Sequence, residues 1–209
     1  EYQSILEEEL NKRQLETNAS SATGIIMDPE TGEILAMATT PGFDNNKFGS
    51  TKPEFHRIRS ITDQFEPGST FKVVSTVSAI YDGTIDLEDE FNCEDGSFEY
   101  YTKKITDHES FSLLTLPQIM HHSSNIGIVK MMEKVGQKKL FTIGRDFGFG
   151  TRTGISLNGE VAGKLNHYDE WSAVSLGMIA MGHEVGVTAI QLASAYCVIA
   201  NGGYLLKPR

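Results

Sequence analysis

The chain has 209 residues, 18 Lys and Arg against 28 Asp and Glu, and a formal net charge of −10. That length suits one sizeable domain, or a domain with a subdomain, and 39% hydrophobic with 22% charged residues is a globular composition. The acidic balance argues against a nucleic-acid surface, which needs clustered Lys and Arg, and no apolar run reaches the roughly 18–20 residues of a membrane span.

Residues 1–16 read as an opening helix: Ile5, Leu6 and Leu10 fall near helical spacing, and Glu7-Glu8-Glu9 precede Lys12-Arg13 as the helix dipole favours. The start, Glu1-Tyr2-Gln3, has neither Met nor a basic signal-peptide region, which suggests a trimmed product. A β-hairpin is predicted over 23–38, where two apolar runs flank Asp28-Pro29-Glu30-Thr31-Gly32-Glu33. Runs that continuous suggest strands covered on both faces. Residues 41–66 carry Pro and Gly breakers and read as irregular, and from Ser69 the pattern turns helical. Residues 84–110 read as short strands and loops. Helices follow from Thr115, with Pro117 in the first turn, from about Ile126 to Val135, from Gln137 to near Gly148, and from Thr188 to Ala200. After Asn201-Gly202-Gly203, Tyr204-Leu205-Leu206 starts an extended segment.

The chemistry concentrates in Glu66-Pro67-Gly68-Ser69-Thr70-Phe71-Lys72. Pro and Gly make a sharp turn into a helix, with Ser69 at its N-terminus and Lys72 one turn on, on the same face. A serine hydroxyl becomes a nucleophile only when a base takes its proton, and lysine serves as that base only if burial or positive potential lowers its pKa from about 10.4. The same helix end directs the Ser69 N–H to where an oxyanion would form. A second element, Ser123-Ser124-Asn125, offers a hydroxyl to relay a proton and a carboxamide to orient Lys72 and a substrate carbonyl.

S-x-x-K followed by S-x-N resembles the penicillin-binding proteins and serine β-lactamases. Gln64–Lys72, His122–Gly127, Phe147–Gly150 with Thr153-Gly154 and Gly159-Glu160, and Gly186–Gly203 extend the likeness over nearly all of residues 20–209. It is most similar to the transpeptidase domain of class B, monofunctional penicillin-binding proteins. The resemblance implies an α+β fold with an antiparallel sheet flanked by helices and a mainly helical part, 69–200, holding both motifs. It implies Ser69 as nucleophile, Lys72 as base, Ser123 as proton shuttle and Asn125 as orienting group, with Ser124 and His108 on the substrate side. The implied reaction cross-links peptidoglycan stem peptides ending in D-Ala-D-Ala through a Ser69 acyl-enzyme, with β-lactam antibiotics as slowly released mimics. No metal or organic cofactor is implied; the implied partners are other wall-synthesis membrane proteins, at the extracytoplasmic face of a bacterial membrane. A serine β-lactamase and a β-lactam-sensing or non-catalytic scaffold domain are the alternatives.

The family's third motif, K-[ST]-G, is absent: none of Lys130, Lys134, Lys138, Lys139, Lys164 or Lys207 begins it. The resemblance therefore suggests a domain truncated before its C-terminal strands, with a membrane anchor upstream of residue 1, and little activity in this length of chain alone.

Other motifs read blandly. Gly148-Phe149-Gly150 with Gly154 has the wrong spacing for a dinucleotide loop, His121-His122 and His183-Glu184 lack metal-ligand spacing, and Trp171 reads as packing. Cys93 and Cys197 read as two small semi-buried residues.

Overall fold

The computed structural model describes residues 1–81 and 83–209. In chain order the helices are α1 (Tyr2–Thr17), α2 (Arg59–Thr62), α3 (Lys72–Ile80), α4 (Leu116–His122), α5 (Asn125–Val135), α6 (Gln137–Asp146), α7 (Ser175–Ala180) and α8 (Ala189–Ala200). The strands are β1 (Ala22–Met27), β2 (Ile34–Thr40), β3 (Glu90–Asn92), β4 (Ser97–Tyr100), β5 (Lys103–Thr106) and β6 (Leu113–Thr115). They pair antiparallel as β1–β2, β3–β6 and β4–β5. The chain divides into two compact units, one of residues 1–65, 147–163 and 187–209, the other of 66–146 and 164–186.

In the first unit the β1–β2 hairpin separates two layers. Alternate residues of a strand face opposite sides. A Cβ on Gly24 would meet Leu6 and Leu10 of α1, whereas Ile25 and Met27 pack with Ile61 of α2 and Ile190 of α8. The continuous apolar run of β1 is thus explained by cover on both faces. Gln3 of α1 bonds both the N–H and the C=O of Met37, which closes that part of the β2 edge. The turn between the strands uses Asp28, whose Oδ1 accepts from the Glu30 and Thr31 N–H groups, and Gly32 at φ +71. The extended tail predicted after residue 203 forms no strand, but Arg209 exchanges backbone bonds with Gly32 and Ile34 at 3.0 and 2.9 Å.

Gln191 in the first turn of α8 is 1% exposed. Its Oε1 accepts from the Thr188 N–H (3.0 Å) and its Nε2 donates to the carbonyls of Thr151 (2.6 Å) and Ala162 (2.8 Å). One amide therefore caps the helix and ties down the loop after α6. Within that loop the Glu160 carboxylate accepts from the Thr153 and Gly154 N–H groups.

In the second unit α5 is the central helix, buried at Ile126, Gly127, Ile128, Val129, Met131 and Met132 and packed by α3, α4, α6 and α7. A helix apolar on so many sides belongs in the middle of a core. Gly127 is required there, because a Cβ would lie 2.5 Å from Cγ1 of Ile119. The stretch read as mainly helical also holds β3–β6. The helical run expected from Ser69 opens as a 3₁₀ turn, Gly68–Phe71, and continues directly as α3 from Lys72.

Replacing Gln191 by Leu strips partners from three backbone groups. Each orphaned group costs about 1–3 kcal/mol when fully buried, and two of these are partly exposed, so an overall loss of about 2–4 kcal/mol is expected. A lowered urea midpoint with an unchanged denaturant slope is the measurement that checks it.

Candidate active site

All the residues singled out for chemistry lie in the second unit. Ser69 is the second residue of the 3₁₀ turn and is exposed. In a first helical turn the backbone N–H groups have no intrahelical acceptor, so the Ser69 N–H remains a donor for an oxyanion. The turn is held from behind. Gly68 adopts φ +57 and donates its N–H to the Gly182 carbonyl at 3.1 Å. Gly182 has φ +86, and any Cβ there would overlap the Gly68 carbonyl oxygen, so glycine is the residue both the space and the backbone angle demand. Just before the turn, the Glu66 carboxylate bonds His183 Nδ1 (2.9 Å) and accepts from the Glu184 N–H (3.0 Å). Those bonds, the His183 one first, hold the Glu66 carboxyl below its usual range.

Lys72 opens α3 with only 1% of its surface exposed. Its Nζ lies 2.5 Å from the Ser123 carbonyl oxygen, 3.1 Å from Ser123 Oγ and 2.7 Å from Asn125 Oδ1. Burial pushes the amine down to about 8, and the negative charge of Asp107 pulls it back up. The three oxygens suit two protonation states. An ammonium donates to all three; a neutral amine donates to the two carbonyl oxygens and takes the Ser123 hydroxyl proton on its lone pair. No hydrogen bond joins Lys72 to Ser69 among the described residues; the amine is bonded to the second motif.

The second motif is a break between two helices. Ser123 ends α4 in the left-handed region at φ 53, ψ 39, with its N–H on the Met120 carbonyl and the Ser124 N–H on the Ile119 carbonyl. A non-glycine residue there is strained, and the strain is placed where the Ser123 carbonyl and hydroxyl both turn to Lys72. Asn125 begins α5 and is fixed at three points: its N–H donates to Asp107 Oδ1 (2.5 Å), its Nδ2 donates to the Thr106 carbonyl (2.9 Å), and its Oδ1 accepts from Lys72.

Ser124 needs correcting. Expected on the substrate side, it is 1% exposed, accepts from the Gly127 N–H at 2.8 Å and donates to Asp107 Oδ2 at 2.6 Å, so its hydroxyl caps α5. His108 is exposed and makes no hydrogen bond or ion pair among the described residues; the bonds to the motif come from its neighbour Asp107. His183 and Glu184, read as structural or surface residues, serve the turn that carries Ser69. Nothing local flags them, because Glu66 and His183 lie 117 positions apart. Asp107 had a signal: a buried helix start needs an acceptor for its free N–H groups. His121 and His122 meet edge to face with ring centroids 4.7 Å apart, His122 lies against Phe111 at 4.5 Å, and Trp171 Nε1 donates to the Asn166 carbonyl at 3.0 Å. Cys93 is buried and Cys197 partly so; both are free thiols.

An exposed hydroxyl at a helix start, a buried amine of lowered pKa one turn on in the chain, and a second hydroxyl in contact with that amine form the set that acyl transfer by a serine needs.

Comparison with known families matches residues 22–209 to the penicillin binding protein transpeptidase domain. The probable peptidoglycan D,D-transpeptidase PenA of Neisseria gonorrhoeae is 31% identical over 204 residues, 98% of this chain and 35% of the relative. Stage V sporulation protein D of Bacillus subtilis is 32% identical over 209 residues (99% and 32%), and peptidoglycan D,D-transpeptidase FtsI of Escherichia coli 32% over 201 (96% and 34%). The chain thus spans about a third of the length of these relatives. Among solved structures, the transpeptidase domain of Burkholderia pseudomallei penicillin-binding protein 3 superposes with a TM-score of 0.84 at 26% identity, covering 95% of this chain and 55% of that one. The α+β architecture is that of these domains, and the chain belongs to the penicillin binding protein transpeptidase domain family, in its class B branch.

Proposed function

We propose that this domain performs the acyl transfer of a peptidoglycan D,D-transpeptidase, with Ser69 as nucleophile. The observation that carries the reading is the buried Lys72 amine held by Ser123 and Asn125 one turn from the exposed Ser69 hydroxyl. Membership of a family whose relatives are named D,D-transpeptidases supports it.

In this reading neutral Lys72 accepts the Ser69 proton as the hydroxyl oxygen attacks the penultimate D-Ala carbonyl of a stem peptide. The carbonyl oxygen takes the negative charge and is met by the Ser69 N–H. As the C–N bond breaks, the departing D-Ala amine takes a proton from the Ser123 hydroxyl, which regains one from the Lys72 ammonium. An amino group of a neighbouring stem peptide then attacks the ester, forms the cross-link and returns the proton to Ser69. A β-lactam enters the same first step, its ring opening in place of D-Ala departure. Because peptidoglycan lies outside the cytoplasmic membrane, the site works on the extracytoplasmic side. No described helix is long and apolar enough to cross a membrane.

Labelling by a fluorescent penicillin, in the protein encoded by the complete reading frame, tests this. Ser69→Ala should abolish labelling, and Lys72→Ala should slow it on the order of 10²–10⁴-fold. Labelling that persists in Ser69→Ala sinks the nucleophile assignment. Rapid release of the label with hydrolysed drug would make the protein a β-lactamase.

The lowered amine sets the pH dependence. Lys72 must be neutral to act, so the acylation rate should rise with pH and level off above about 8, the value to which burial brings it. A flat profile between pH 6 and 9 contradicts a lysine base.

Gly182→Ala places a methyl group against the Gly68 carbonyl and displaces the turn that carries Ser69. A fall in labelling rate on the order of 10-fold or more is expected, in a protein that still unfolds cooperatively.

A further inference from the structure

Asp107 directly follows β5 and is aimed at the start of α5. Its Oδ1 accepts from the Asn125 N–H at 2.5 Å and the Ile126 N–H at 3.1 Å, and its Oδ2 accepts from Ser124 Oγ at 2.6 Å. The residue before it, Thr106, takes the Asn125 Nδ2 on its carbonyl at 2.9 Å. Two consecutive residues therefore hold the backbone and the amide nitrogen of Asn125, and the atom left over, Oδ1, is the one that meets Lys72 at 2.7 Å. The carboxylate has no bond to Lys72 or Ser69. It reaches the amine through Asn125 and through space.

We propose that Asp107 is a positioning residue for the acylation chemistry: acting through Asn125 and Ser124, it fixes the S-x-N turn against Lys72 and keeps a negative charge behind the amine. The inference rests on the transpeptidase reading of the site and assigns it a part beyond the serines, lysine and asparagine of its motifs.

Two effects of the carboxylate oppose each other. Its hydrogen bonds build the arrangement that lets Ser123 and Asn125 receive the lysine, which favours catalysis. Its charge stabilises the ammonium and raises the Lys72 pKa against the lowering by burial, which delays formation of the base. The charged or titratable groups on the elements packed against α3 are Lys130, Glu133 and Lys134 on α5, Lys138, Lys139, Arg145 and Asp146 on α6, and His121 and His122 on α4, which Thr76 of α3 contacts at Met120; α7 carries none. At the start of α5, Cys93 approaches Ser124 Oγ at 3.6 Å, its thiol pushed up chiefly by burial, and Glu94 pairs with Lys130 at 2.9 Å. The charge that raises the Lys72 amine against burial is that of Asp107, on the residue after β5.

A helix cap alone would lose only stability when removed, so the test separates charge, geometry and stability. Asp107→Asn keeps an acceptor for the two N–H groups and removes the charge; Asp107→Ala removes both. In the complete protein, penicillin acylation rates across pH, thermal unfolding, and the Lys72 titration followed by the NMR shift of ¹³Cε-labelled lysine are measured. In Asp107→Asn the Lys72 midpoint and the acid limb of the rate profile should both move to lower pH. The plateau rate should fall on the order of 10-fold in Asp107→Asn and 100-fold in Asp107→Ala, both folded at the assay temperature. An unchanged Lys72 midpoint in Asp107→Asn, or a plateau rate in either folded variant equal to that of the unsubstituted protein, overturns the proposal. If Asp107→Ala fails to fold, the Asn variant decides alone. Absence of labelling in the unsubstituted protein would count against the transpeptidase reading instead, and the lysine titration would still decide whether Asp107 sets the amine.

Discussion

The second unit is organised by one electrostatic requirement: an amine with 1% of its surface exposed must find oxygens. Lys72 finds three, two of them on a single residue, Ser123. A serine offers both its carbonyl and its hydroxyl to one nitrogen only if the chain reverses at that residue. The left-handed backbone at Ser123 is that reversal, and the break between α4 and α5 follows from it. The helix start created by the break then needs an acceptor, which Asp107 and Ser124 provide. Neutralising one buried charge thus sets a backbone strain, a helix boundary and a cap in succession.

The arrangement divides rigidity unequally. The amine, the second hydroxyl and the amide are bonded to one another and sunk against the core of α5. The Ser69 hydroxyl stands exposed on a turn fixed by main-chain contact with Gly182 and by the Glu66 carboxylate. In the proposed reaction the group that meets an incoming carbonyl stays accessible, while the group that changes protonation state is shielded from water, where its affinity for a proton can be tuned.

Much of this was legible in the sequence because its signals are local. Pro67-Gly68 announced the turn, Thr115 with Pro117 the start of α4, and the two apolar runs around Asp28–Glu33 the hairpin. The two motifs together, S-x-x-K at 69–72 and S-x-N at 123–125, carried the resemblance, and the structure brings Lys72, Ser123 and Asn125 into contact. What sequence misjudged depends on which way a side chain faces after folding. Ser124 sits between two residues that bond Lys72, yet its place as the N-cap of α5 turns its hydroxyl inward. The bonding partner next to His108 is Asp107, because a carboxylate satisfies several N–H donors and an exposed imidazole does not. Glu66, Gly182, His183 and Glu184 meet only through tertiary structure, and no periodicity links residues so far apart. The helical run expected from Ser69 is there, with a first turn of 3₁₀ geometry that 3.6-residue periodicity does not distinguish.

The long-range contact behind Ser69 has a consequence for how the site comes into being. The second unit is assembled from residues 66–146 and 164–186, with a stretch belonging to the other unit between them. The bonds from Glu66 to His183 and from Gly68 to Gly182 join the first of these segments to the last. Contacts of such separation form late, since closing a loop of more than a hundred residues precedes any reward from the contact itself. During synthesis, the serine emerges long before the glycine that seats it. The lysine, the break at Ser123 and the start of α5 can come together on the nascent chain, but the nucleophile turn gains its backing only once residues 182–184 have been made. The order of the chain thus acts as a timer, so that the Ser69 hydroxyl is set in place among the last steps of folding.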